Sequence, residues 1–180
     1  MERNITHIAL FAALIAVLGL VPKIDLISGV PITAQSLGIM LCGTVLGARR
    51  GALAVLLFLG LVAAGLPLLS GGRGGLGVFA GPSVGYLVGF PIAAFVAGLV
   101  VERWKVSIGI ASFAGAVLGG IVVMHIFGII GMSIMLGKSL TEAAMLAVPF
   151  IAGDLLKSGL AAGITRGLAR ARPASVLSRN

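Results

Sequence analysis

The chain has 180 residues, 59% hydrophobic and 10% charged, with a formal net charge of +8 and a mean hydropathy of +1.19. Soluble domains carry about 25% charged residues, so an ordinary water-soluble globule is excluded and an integral membrane protein is expected. The 28 glycines follow no three-residue period, which excludes collagen; the single cysteine, Cys42, excludes an internal disulfide; and the basic residues lie between apolar segments rather than among aromatics, which favours orientation in a membrane over nucleic-acid binding.

Residues 5–21 form the first apolar run, preceded by Arg3. The following Pro22-Lys23-Ile24-Asp25 lacks the small-residue pattern of a cleavage site, so the run is expected to stay as a transmembrane helix rather than leave as a signal peptide. Ala9 and Ala13, and offset from them Ala12 and Ala16, have the spacing that lets a second helix approach closely; the approach is either internal packing or external docking. Pro22, Gly29 and Pro31 mark a loop, and Thr33 is a plausible N-cap for a second helix running to about Gly47. Ala48-Arg49-Arg50-Gly51 reads as a short basic turn before a third helix over 52–66, stopped by Pro67.

The stretch from Ser70 to Gly89 is glycine-rich. Gly72 to Gly77 formally matches G-x-G-x-x-G, but a Rossmann turn needs a preceding strand and a soluble βαβ unit. A flexible loop with free backbone N–H groups is expected instead, able with Arg73 to hold a carboxylate; the bland alternative is a disordered connector. Pro82 suits the first turn of a fourth helix, on which Tyr86, Gly89, Phe90 and Ala93 share a face. That helix ends near Val101, and Trp104 between Arg103 and Lys105 reads as an interfacial anchor. The next apolar run, from Ser107 to Leu136, is about 45 Å long as one helix, against a hydrocarbon core of about 30 Å. It must tilt, break near Gly128 or Gly131, or project. His125 lies within it, either as a hydrogen-bonded packing residue or as a ligand.

After the turn Gly137-Lys138-Ser139, a sixth helix spans about 142–162. Asp154 and Lys157 are the charged residues inside it and, three apart, share one face. Ionisable groups at such depth are costly and usually face a protein interior or a wet cavity. They form either a structural ion pair or a ligand or ion site. Arg166, Arg170, Arg172 and Arg179 make a basic tail. Six helices put nine basic residues on one side, among them Arg3, Arg49, Arg50, Arg103 and Lys105, and three (Lys23, Arg73, Lys138) on the other. The excess marks the cytoplasmic side, which places both termini in the cytoplasm and the glycine-rich loop outside.

Pro31-Ile32-Thr33-Ala34-Gln35, then Gly72-Arg73-Gly74-Gly75 with Gly81-Pro82-Ser83-Val84-Gly85-Tyr86, and finally Pro149-Phe150-Ile151-Ala152-Gly153-Asp154-Leu155-Leu156-Lys157 resemble, in that order, the BioY family: biotin-specific substrate-binding (S) subunits of energy-coupling factor (ECF) transporters. The resemblance spans about residues 5–165; Ser83 stands where threonine is expected and keeps the hydroxyl. It implies one all-α domain over residues 1–180 with six transmembrane helices, residues 166–180 being a basic cytoplasmic tail, in the plasma membrane of a prokaryote. It implies a non-enzymatic subunit with no cofactor that captures biotin from outside. Its partners would be a transmembrane coupling subunit and cytoplasmic ABC-type ATPases, in agreement with the lack of a P-loop here; some members are thought to work without a dedicated ATPase.

The same resemblance points to Asp154, Lys157, Tyr86, Arg73, Gly74 and Gln35 as substrate-binding residues, and to Ala9 and Ala13 as the docking face. Biotin offers two ureido N–H donors, a carbonyl, an apolar ring and tail, and a carboxylate. Asp154 can accept from a ureido N–H, Lys157 can donate to the carbonyl or hold Asp154 ionised, and Tyr86 can add a hydrogen bond and an apolar face. Arg73 and the loop N–H groups could hold the carboxylate; the reverse orientation would put Lys157 on it. Two other classes compete. A proton-coupled secondary transporter would use the Asp154–Lys157 pair for coupling, but such folds often show internal repeats, and none is evident. An intramembrane enzyme would need a nucleophile–base pair or a metal cluster, and His7 and His125 are far apart in sequence.

Overall fold

The computed structural model describes residues 2–179, and side chains from Asn4 to Arg179; the Arg3 side chain, counted above in the charge asymmetry, lies outside them. The described residues are helical, with no strand beyond two isolated bridges, Ile24 with Ile32 and Leu69 with Arg73. In chain order come α1 (Glu2–Leu18), α2 (Gln35–Leu46), α3 (Ala48–Ala63), a 3-10 turn (Leu76–Ala80), α4 (Val84–Arg103), α5 (Ile108–Val117), a π-helical stretch (Leu118–Val123), α6 (Met124–Leu136) and α7 (Leu140–Ala171). Three continuous rods are long and apolar enough to cross a bilayer: Val84–Arg103, Ile108–Leu136 and Leu140–Ala171. Large apolar side chains such as Leu53, Ile92, Ile130, Ile134, Val148 and Leu156 point outward. In water that exterior would be an aggregation surface; in lipid it is the expected one, and the molecule is a helical membrane protein.

The inside is built from small residues. α4 is the hub, packing against α2, α3, α5 and α6. Its Ala93, Ala94, Ala97 and Gly98 are buried. A Cβ on Gly43 of α2 would run into the Ala94 carbonyl, and one on Gly98 into the Gly47–Ala48 backbone. Gly85 of α4 and Gly131 of α6 meet backbone to backbone. Close approach of this kind supplies dispersion contacts where lipid provides no hydrophobic drive between helices.

The structure corrects several boundaries. Ala48-Arg49-Arg50-Gly51 is not a turn but the opening of α3, joined to α2 through the single residue Gly47 at φ 88°. The Glu102 carboxylate of α4 accepts from Ala48 N at 2.8 Å, replacing a local cap that the sequence around Gly47 lacks. The long run from α5 to α6 does not break at Gly128 or Gly131. Its irregularity is the π-helical stretch at Leu118–Val123, while Gly128 and Gly131 are contact points with Tyr86 and Gly85. α7 is longer than expected at both ends. Ser139 and Glu142 form a capping box at its start. Arg166 and Arg170 belong to its last turns, and Val176, Leu177 and Ser178 fold back under the bundle, where Ser178 Oγ donates to Thr44 O at 2.6 Å.

The glycine-rich stretch is an ordered cap. Leu69 and Arg73 exchange backbone hydrogen bonds at 3.0 and 3.2 Å around Ser70-Gly71-Gly72. Gly71 and Gly72, at φ 79° and 70°, supply the left-handed turn that closes it. Gly75 N then donates to Val62 O at 2.7 Å, tying the loop to the end of α3.

Candidate functional site

Beneath that cap, the first turn of α2 meets the middle of α7. Asp154 is 3% exposed, and its Oδ1 accepts from Lys157 Nζ at 2.9 Å and from Ser36 Oγ at 3.1 Å. Lys157 Nζ also donates to Ser36 Oγ at 2.9 Å. The carboxylate, ammonium and hydroxyl thus form a closed triangle, which offsets much of the desolvation cost of two charges inside a bundle. The i,i+3 spacing on α7 puts both charges on the face turned to α2.

Asp154 Oδ2 is used differently. It lies 3.8 Å from His125 Nε2, beyond hydrogen-bond reach. His125 Nδ1 sits 2.9 Å from the Ile121 carbonyl, which only accepts, so Nδ1 carries the hydrogen. Nε2 is then left with no hydrogen-bond partner, as is the buried Tyr86 hydroxyl. Tyr86 stacks on Phe150 with centroids 5.7 Å apart, and His125 meets Tyr86 and Phe150 edge-on at 5.7 and 6.0 Å. Gly128 makes room for the Tyr86 ring, since a Cβ there would overlap it. Buried polar atoms without partners, beside an ion pair and an aromatic wall, are what a binding site shows before its ligand supplies the missing bonds.

A narrow cavity of about 60 Å³ opens from this cluster towards the cap, lined by Val30, Leu87, Phe90 and Met124 with Ser36, Tyr86, Phe150, Asp154 and Lys157. Pockets for small molecules are usually of about 300–1,000 Å³, so a bicyclic ligand with a tail enters only if the lining parts. Arg73 stands at the cap end of the cavity, its Nε donating to Ser70 O at 3.3 Å.

The structure therefore brings Asp154, Lys157, Tyr86, Arg73 and Gln35 around one cavity. Gln35, while lining the cavity, is also tied to the scaffold: its Nε2 donates to Ile15 O and Leu68 O at 3.1 and 3.0 Å, and its Oε1 accepts from Ser70 N at 3.1 Å. It pins the cap to α1 and α2. Gly74 is outside this cavity, in an adjoining depression under the loop, where a Cβ would run into the Leu66 carbonyl. Ala9 and Ala13 face outward on α1, whereas Ala12 is buried, which separates the two small-residue stripes. Ser36 went unread in the sequence, although it follows directly on Pro31–Gln35, because its partners are 118 and 121 positions away. His125 was noticed, but nothing local indicated that it faces Asp154.

Fold and site together define a helical membrane protein with a buried ion pair beside a cavity inside its bundle. The BioY family model matches residues 2–174. The chain is 52% identical to "Biotin transporter BioY" of Rhodobacter capsulatus, covering 99% of this chain and all of that protein, and 49% identical to that of Rhizobium etli, covering 92% of each. It superposes on the crystal structure of the S-component for biotin from an ECF-type ABC transporter with a TM-score of 0.91 at 30% identity, covering 97% of this chain and 96% of that one. The chain belongs to the BioY family.

Proposed function

We propose that this chain captures and takes up biotin as the membrane-embedded S subunit of an ECF-type transporter, a transporter component and not an enzyme. The carrying observation is the Asp154–Lys157–Ser36 triangle facing an aromatic-walled cavity under the glycine-rich cap, in a chain related over its whole length to named biotin transporters. Asp154 Oδ2 is placed to accept a ureido N–H, Lys157 to donate to the ureido carbonyl, and Tyr86 and Phe150 to hold the bicyclic ring. Arg73 at the cap end suits the valeryl carboxylate. No cofactor enters this scheme; biotin is the cargo.

In the same reading, six helices cross the plasma membrane of a prokaryote. The glycine-rich cap is external, and both termini, with the basic segment 166–180, are cytoplasmic. Ala9 and Ala13 form the docking face for a transmembrane coupling subunit, itself driven by cytoplasmic ABC-type ATPases. Equilibrium binding of biotin and of biotin methyl ester to the purified chain tests both identity and orientation. Biotin should bind saturably, and the ester should bind more weakly in the wild type but no more weakly than biotin in Arg73→Gln. Failure of biotin to bind would remove the function; an ester penalty abolished by Lys157→Met instead would reverse the ligand.

A further inference from the structure

At the opposite end from the cap, a second cleft of about 590 Å³ gathers Arg49, Arg50, Arg103, Lys105 and Arg179 around a single acid, Glu102. Glu102 accepts from Ala48 N, and none of the five cations makes an ion pair among the described residues. Two of them are fixed to the scaffold. Arg50 donates to Leu177 O at 3.2 Å, and Arg179 donates to Trp104 O and Val106 O at 2.9 and 3.0 Å, which folds the end of the chain into the floor of the cleft. Arg49, Arg103 and Lys105 are exposed and point to solvent or ligand. The wall is apolar: Phe95 and Leu99 also line the cleft. With Arg103 they stand four residues apart on one face of α4, so an apolar track runs from within the membrane up to the cations. Trp104, half-exposed beside them, is the residue type that settles at the headgroup level.

A cationic bowl joined to an apolar track matches a molecule with a phosphodiester at one end and an acyl chain at the other. We propose that this cleft is a binding site for an anionic phospholipid, with the phosphate held by Arg49, Arg103 and Lys105 and one acyl chain lying along Leu99 and Phe95. An acidic protein segment would satisfy the cations but not the track that continues into the membrane. The site is separate from the biotin cavity, and lipid binding there does not depend on the biotin reading.

Trp104 is the only tryptophan, and it sits between two lining residues, Arg103 and Lys105, with its carbonyl on a third, Arg179, so its fluorescence reports on lipid beside the cleft. The full chain is reconstituted in phosphatidylcholine vesicles containing a small fraction of brominated phosphatidylglycerol, or the same fraction of brominated phosphatidylcholine. Brominated phosphatidylglycerol should quench Trp104 well beyond its mole fraction and brominated phosphatidylcholine should not. The triple change Arg49→Gln, Arg103→Gln, Lys105→Gln should weaken the preference by at least about tenfold, while neutralising Arg166, Arg170 and Arg172 on α7 leaves it intact. Leu99→Gln, which keeps every cation and adds no charge but makes the track polar, should also weaken it. Equal quenching by the two lipids, or equal loss in the two triple variants, would overturn a lipid site in favour of a diffuse basic field. Reversal by excess inorganic phosphate would make it a free-anion site. If phosphatidylglycerol shows no preference and the first triple variant instead loses its coupling subunit, the surface docks protein.

Discussion

Asp154 has one oxygen committed to Lys157 and Ser36 and one that faces His125 without a hydrogen bond. A structural ion pair has no need of that asymmetry; a ligand acceptor does. Asp154→Asn should weaken biotin binding by about ten- to a hundredfold, the value of a charged hydrogen bond of roughly 1.5–3 kcal/mol, with the protein still monodisperse. Lys157→Met should also weaken it by leaving a buried carboxylate unpaired. If the pair serves only itself, the double variant should regain affinity, because neutral groups often replace a buried pair at little cost. Continued loss in a folded double variant is the expected result. His125→Phe preserves the ring contacts to Tyr86 and Phe150 but deletes Nε2. Affinity should fall by about three- to tenfold, as for one ordinary hydrogen bond, and an unchanged affinity would reduce His125 to packing. The Asp154–Lys157 pair was legible in sequence because two charges in an apolar helix stand out; Ser36 and the orientation of His125 were not, because they depend on which helices become neighbours.

At the level of elements, the small residues decide how closely helices approach, and their effects are separable. Gly128→Ala places a methyl against the Tyr86 ring, so it should lower affinity for biotin while leaving the helical content unchanged; equal affinity would show that the ring can shift without consequence. Ala9 and Ala13 face outward, so replacing both with leucine should abolish uptake in cells while biotin binding by the isolated chain persists. Equal loss of both would make the stripe internal packing. Periodicity and apolar run length located the helices, but not how they join. The opening of α3 was misread because arginines next to glycine look like a turn, and the cap that permits a one-residue link comes from Glu102, 54 positions away. Of the three options open to the long run, a break near Gly128 or Gly131 did not occur, and those glycines serve the contacts with α4 instead.

For the whole molecule, orientation and autonomy are the open physical claims. Cysteine placed at Gly77, where a side chain meets nothing and the backbone is unstrained, in a Cys42→Ala background, should react with an impermeant thiol reagent on intact cells. Labelling only after lysis would invert the topology. Gly74 is unsuitable, since a Cβ there meets the Leu66 carbonyl. The composition alone announced a membrane protein, and three ordered motifs announced the family. Neither could disclose that the cap is pinned to the bundle by Gln35, since the backbone atoms it binds belong to α1 and to the loop after α3. A capture subunit should bind its cargo without partners, energy or an ion gradient, since Ser36, Arg73, Tyr86, Asp154 and Lys157 all line one cavity of a single chain. Equilibrium binding of biotin to the purified chain, without nucleotide, coupling subunit or membrane potential, is therefore decisive. One saturable site that Asp154→Asn weakens is the expected result, and an isolated chain that folds yet shows no biotin binding would contradict it.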